Sequence, residues 1–163
     1  MHPISPCLWF DQNAEEAVAF YLSVFPGSRI LGTTRYSEGA PAPAGSVMTI
    51  DVEINGSHFT ALNGGPYFSF SPAISFVIHC DDQAEIDYYW ERLCDGGKPE
   101  PCGWIKDRFG VSWQLVPVQL MRLLEEGEQA RIARMTTALL QMQKLDLAAL
   151  LTAYHGDATI RPN

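Results

Sequence analysis

Apolar positions along the first third of the chain follow two periods in succession. The run CLWF at residues 7–10 reads as a short buried strand, and Ala17, Phe20, Tyr21, Val24 and Phe25 then recur at helical spacing. Asn13 stands at the N-cap position with Glu16 three residues on, a capping-box pattern, and Gly27 is placed to stop the helix. The same pattern returns in SFVIHCDDQAEIDYYWERLCDGG, residues 75–97. Asp82 and Glu85 lie 69 positions after Asn13 and Glu16, and the same offset carries Ala17 onto Ile86, Phe20 onto Tyr89, Tyr21 onto Trp90, Val24 onto Leu93 and Gly27 onto Gly96.

The segments beyond the two helices match as well. After Gly27, SRILGTTRYSEG, SVMTIDVEI and SHFTALN predict three strands, with a hairpin turn at Asn55-Gly56 between the last two. After Gly97, KPEPCGW, WIKDRF and VSWQLVP predict three more, with a turn at Gly110. A Pro/Gly/Ala-rich insert, SEGAPAPAG at 37–45, belongs to the first half only. One such half leaves a sheet face uncovered, so two are expected to pair and enclose a small-molecule cleft. Residues 119–154 carry no strand pattern and predict two or three helices, broken at Gly127 and near Lys144-Leu145-Asp146. Ile132, Met135, Leu139 and Met142 form a seam on one helix face, expected to pack on the outside of the sheet or on a partner subunit.

Composition narrows the partners. At 163 residues, 47% hydrophobic and 18% charged, the chain can bury a core. A formal net charge of −8 leaves no basic surface for nucleic acid or anionic membranes. No charged n-region with an apolar h-region opens the chain, which points to the cytoplasm. The uncharged stretch from Phe59 to Cys80 is interrupted by Asn63, Gly64, Gly65, Pro66 and Pro72, and so reads as two buried strands and a connector. Cys7, Cys80, Cys94 and Cys102 form no C-x-x-C pair and read as reduced structural thiols.

The segments LWFDQNAEEAVAFYLSVFPGSRI, ALNGGPYFSFSPAISFVIHC, DRFGVSWQLVP and LLQMQKLDLAAL resemble the PhnB-like branch of the vicinal oxygen chelate superfamily, which includes glyoxalase I, extradiol dioxygenases and bleomycin resistance proteins. The resemblance implies an α+β fold of two paired βαβββ modules, with a helical C-terminal extension, in a homodimer. It divides the chain into a first module at 1–65, a connector and second module at 66–118, and the extension at 119–163, forming a single globular unit. Proteins of this branch often carry the label 3-demethylubiquinone-9 3-methyltransferase. A methyltransferase using S-adenosylmethionine would ordinarily show a glycine-rich turn between strand and helix; Gly64-Gly65 precedes an aromatic connector, and Gly96-Gly97 comes after a helix.

Metal-dependent members of the superfamily hold a divalent ion with His and Glu from the first and last strands of each module. Carried over position by position, those ligands fall on Gln114, Thr60, Ser75 and either Ser5 or Pro6. None offers an imidazole or carboxylate to repay dehydration of a cation, so no metal and no cofactor is expected. The expected ligand-binding residues are Thr60, Ser75 and Gln114, with the aromatics Trp9, Phe68, Phe70 and Trp104. His79 and Asp107 are the weak catalytic candidates, as an acid/base pair in which the carboxylate orients the imidazole; the competing reading has Asp107 and Arg108 capping the hairpin at Gly110. Two functional classes remain: a small-molecule-binding protein with a metal-free cleft, or an enzyme, either a metal-dependent lyase or isomerase or the methyltransferase of the label. Whether the modules pair within one chain or across a dimer stays open.

Overall fold

The computed structural model describes residues 4–156. The outermost parts of the expected first module (1–3) and of the extension (157–163) lie outside the described residues. The chain forms two compact units that divide between Phe70 and Ser71.

The first unit runs β1 (Cys7–Phe10), α1 (Ala14–Val24), β2 (Arg29–Arg35), β3 (Val47–Ile54) and β4 (Ser57–Asn63). Its sheet has the order β1-β4-β3-β2, with β1 parallel to β4 and the other neighbours antiparallel. Alternation along the strands sends Leu8, Phe10, Ile50, Val52, Ile54, Phe59 and Ala61 to one face, where they are buried under α1. From the helix, Ala17, Val18, Tyr21 and Val24 come down to meet them, each at most 1% exposed. The β3–β4 hairpin closes on Asn55 (φ +46°) and Gly56 (φ +79°), the left-handed pair that the Asn-Gly signal predicts.

The second unit repeats this order with β5 (Phe76–Cys80), α2 (Gln83–Cys94), β6 (Lys98–Pro99), β7 (Trp104–Lys106) and β8 (Ser112–Pro117), in the sheet β5-β8-β7-β6. Ile78, Cys80, Ile105, Trp113 and Leu115 face α2, whose Ile86 and Leu93 are wholly buried. Full burial of one such side chain contributes about 1.5–3 kcal/mol, so the helix-to-sheet contact holds each module together. The twofold βαβββ repeat expected from the sequence is present in both units.

Three helices complete the second unit: α3 (Val118–Glu126), α4 (Gln129–Leu139) and α5 (Leu147–His155). The seam resolves differently from expectation. Met135 is buried with Leu120, Leu145, Leu150 and Tyr154, and Ile132, Leu139 and Met142 pack against that cluster. It is therefore the core of the small helical layer itself, because α3 and α5 supply apolar faces of their own. Met142 lies beyond the end of α4, where its carbonyl and that of Gln143 accept from the Cys102 and Gly103 amides and tie the layer to the turn before β7. Among the described residues no helix is long and apolar enough to cross a membrane.

One expected feature of the first module is absent. Asn13 makes no side-chain cap; the Ala14 amide donates instead to Asn63 Oδ1 at 2.8 Å, from the end of β4. In the second module the expected Asp82–Glu85 cap forms, with Asp82 accepting from the Glu85 amide, while the Glu85 carboxylate accepts from the Asp81 amide.

Candidate functional site

Each sheet has a second face not covered by its own helix, and strand register decides what stands on it. Residues directly paired across strands share a face. In the first module Cys7, Thr60 and Asp51 thus form one row across β1, β4 and β3, and Trp9, Leu62 and Thr49 form the next. Thr60 Oγ1 donates to Asp51 Oδ1 at 2.7 Å. Partial desolvation, and then the Asp51 carboxylate, hold the Cys7 thiol above its ordinary pKa. Beyond Thr60, Glu53 meets His58 Nε2 and Arg29, both at 3.3 Å.

Trp9 is locked in place. Its Nε1 donates to the Gly65 carbonyl at 2.9 Å, and its ring lies so close over Gly64 that a Cβ there would come within 2.3 Å of ring carbons. Phe68 stands edge-on to it at 5.0 Å. Phe70 does not join them: it packs edge-on to Phe10, one of the α1-facing residues.

In the second module the open face carries Ser75, Val77 and His79 from the β5 side and Ser112, Gln114 and Val116 from β8. Gln114 pairs in register with Val77 on one side and Trp104 on the other. Its Nε2 donates to Ser75 Oγ at 2.7 Å, so the two residues do form one polar group, with Trp104 beside it. The pairing of Cys7 with Thr60 and of Val77 with Gln114 aligns position 7 with 77, which makes Ser5 rather than Pro6 the counterpart of Ser75.

The acid/base pair is not formed. Asp107 is 4% exposed and its carboxylate is engaged by the Phe109 and Val111 amides and by Trp113 Nε1, at 2.9, 3.0 and 2.9 Å. It anchors the β7–β8 hairpin to the α2-facing core, whereas Arg108, the other residue of the hairpin-capping reading, donates to the carbonyl and carboxylate of Asp95. His79 is exposed on the other face, near the far end of β5 beside Val116.

The donor set does not fit a divalent cation. Thr60 and Gln114 present neutral oxygens on side chains already committed to neighbours, and among the described residues no three His, Cys, Asp or Glu side chains converge. Asp51 is an open-face residue that motif spacing alone does not single out. A two-residue Asn55-Gly56 turn sets the register that places Asp51 opposite Thr60, so the signal lies in the hairpin spacing.

With this geometry in view, a family model described as 3-demethylubiquinone-9 3-methyltransferase matches residues 2–116, both βαβββ modules. The chain belongs to this family. Among solved structures, a Bacillus cereus PhnB protein, described as a putative 3-demethylubiquinone-9 3-methyltransferase, is 32% identical, with a TM-score of 0.63 over 72% of this chain and 100% of its own. The Pseudomonas aeruginosa protein PA1353 is 22% identical, with a TM-score of 0.59 over 72% of this chain and 98% of its own. FosX, a fosfomycin resistance protein of Listeria monocytogenes, is 14% identical, with a TM-score of 0.53 over 71% of this chain and 91% of its own, a likeness of fold. No curated protein matches the chain. This PhnB-like chain accordingly shares the fold of FosX, with α3–α5 lying C-terminal to the matched region.

Proposed function

We propose that the chain is a small-molecule-binding protein that holds a partly apolar or aromatic metabolite against its open sheet faces, without a metal or other cofactor. The observation that carries this reading is the Gln114–Ser75 pair, 2.7 Å apart and flanked by Trp104 and Val77. By the family resemblance, its amide and hydroxyl correspond to positions expected to carry ligands in metal-dependent members. A neutral donor and acceptor set among apolar side chains suits hydrogen bonding to an organic ligand. Thr60, Asp51, Trp9 and Phe68 provide a comparable surface in the first module. Exposed Ile30, Leu31 and Val77 support assembly as a homodimer.

An enzyme is the second reading, favoured by the family description. As a methyltransferase it would need a cradle for S-adenosylmethionine. Gly64-Gly65 does not offer one, since its two amides are spent on the Phe10 and Asp11 carbonyls and it is covered by Trp9 and Tyr67.

Thermal-shift titration of the full chain separates the readings, because a ligand that binds the native state raises the melting temperature. Neutral aromatic metabolites, S-adenosylmethionine, and manganese, nickel and zinc salts are the probes. The binding reading expects a shift with an organic compound that is lost in Gln114→Ala. Stoichiometric uptake of a divalent metal, or a shift with S-adenosylmethionine, would overturn it.

A further inference from the structure

The 37–45 insert, which has no counterpart in the second module, roofs a pocket of about 420 Å³ over the N-terminus of α1. Its walls come from Asp11, Glu15, Tyr36, Asn63, Tyr67 and the prolines of the insert. None of these residues belongs to the open-face rows described above.

The chemistry of the walls is one-sided. Gly64 and Gly65 donate their amides to Phe10 and Asp11, and Asn63 Nδ2 donates to Glu15 Oε2 and the Val47 carbonyl. The Tyr36 hydroxyl donates to the Asn63 carbonyl, Ser46 Oγ to the Pro43 carbonyl, and the three lining prolines have no N–H to give. The Ala14 amide at the helix start is taken by Asn63 Oδ1. Donors are thus largely consumed, with side-chain N–H and O–H groups left on Gln12 and Tyr67. The Asp11 carboxylate accepts no hydrogen bond from the described residues, Glu15 has a second oxygen to spare, and no lining residue is Lys, Arg or His. Two phenol-bearing residues, Tyr36 and Tyr67, line the same pocket as the carboxylates, with Tyr67 packed on Gly65.

A cavity with spare anionic acceptors, aromatic walls and few free donors is complementary to a cation with an apolar body. We propose that this pocket binds a small organic ammonium ion, with Asp11 and Glu15 opposite its charge and the Tyr36 and Tyr67 rings against its carbon skeleton. An anion is disfavoured there by the two carboxylates, and the Ala14, Gly64 and Gly65 amides already have partners.

The test is amide NMR of the full chain titrated with benzylammonium chloride, with benzyl alcohol as its uncharged counterpart and inorganic phosphate as an anion. Benzylammonium is expected to shift the amides of Gly64, Gly65 and residues 36–47, and benzyl alcohol to bind at least about tenfold more weakly. Asp11→Asn, which removes no hydrogen bond of the fold, is expected to lower benzylammonium affinity about tenfold, whereas Glu91→Gln on the exposed side of α2 leaves it unchanged. Equal binding of benzyl alcohol, occupation by phosphate, an unaltered affinity in Asp11→Asn, or no response of the pocket amides at about 10 mM would each overturn the proposal.

Discussion

The two βαβββ modules share strand order, helix placement and buried face, yet they start their helices in opposite ways. In the second module α2 is capped locally, by Asp82 and Glu85. In the first, α1 is capped from 49 residues away by Asn63, which also bonds Glu15 and the first residue of β3. Each helix start is connected to the part of the chain that its module has and the other lacks. For α1 this is the 37–45 insert, through Asn63 and Tyr36. For α2 it is the helical extension, where Gln83 donates to the Leu145 carbonyl and accepts from the Leu147 amide at the start of α5. The repeated frame is apolar and local, whereas the contacts that individualise each half are polar and long-range.

The hairpins give the largest contrast to break. β3–β4 turns on two residues, whereas β7–β8 is held by the buried Asp107 carboxylate and its three donors. Asp107→Ala would leave those N–H groups unsatisfied, and each such buried group costs about 1–3 kcal/mol. A loss of roughly 3 kcal/mol or more is expected from urea denaturation, against about 1 kcal/mol for Asn55→Ala, where the substitution meets only left-handed strain. Equal losses would mean that Asp107 is no anchor.

The caps come next. Asn63→Ala removes a helix cap and two further hydrogen bonds, so a loss of about 2–3 kcal/mol is expected. Asp82→Ala removes a single cap, at about 1 kcal/mol. Amide exchange should show the difference in reach: Asn63→Ala releases the start of α1 together with the β3 edge at Val47, and Asp82→Ala only the first turn of α2. Gly64→Ala is expected to cost about 1–3 kcal/mol through forced displacement of the Trp9 ring, read as a change in tryptophan fluorescence. An unchanged spectrum would place the ring elsewhere.

These contrasts also explain how far the sequence discloses the molecule. The modules are legible because apolar periodicity, Asn-Gly turn chemistry and helix-stopping glycines act within a few residues. Local spacing assigns the α1 cap to Asn13, because it cannot reveal that Asn63, at the end of a parallel-paired strand, reaches the same amide. Composition groups Phe70 with Trp9 and Phe68, since a connector without periodicity carries no facing information. Ser75 and Gln114 fall on one face in sequence and structure alike because strand alternation is strict. His79 and Asp107 suggest a pair because both lie near strand ends in sequence, although the parallel β5–β8 pairing puts them at opposite ends of the sheet.

Cys80 sharpens the comparison with the smallest effect near neutral pH. It fills the α2-facing end of β5, a place held in the first module by Phe10 at the end of β1. Burial, and then the negative charges of Glu85, Asp81 and Asp82 around the α2 cap, push its thiol up to about 12 from an ordinary 9.0. In the unfolded chain the thiol ionises near the ordinary value, while in the fold it stays neutral. Its contribution to stability is therefore whole below pH 9 and is lost as pH rises from 9 toward 12. Below pH 9 the slope of stability against pH should be the same in wild type and Cys80→Ala, since the thiol is neutral in both states. Between pH 9 and 12 wild type should fall more steeply than Cys80→Ala, and a disulfide reagent at about pH 8 should modify exposed Cys7 well before Cys80. Parallel curves across the alkaline range would show that neither burial nor the acidic cap of α2 holds the thiol neutral in the fold.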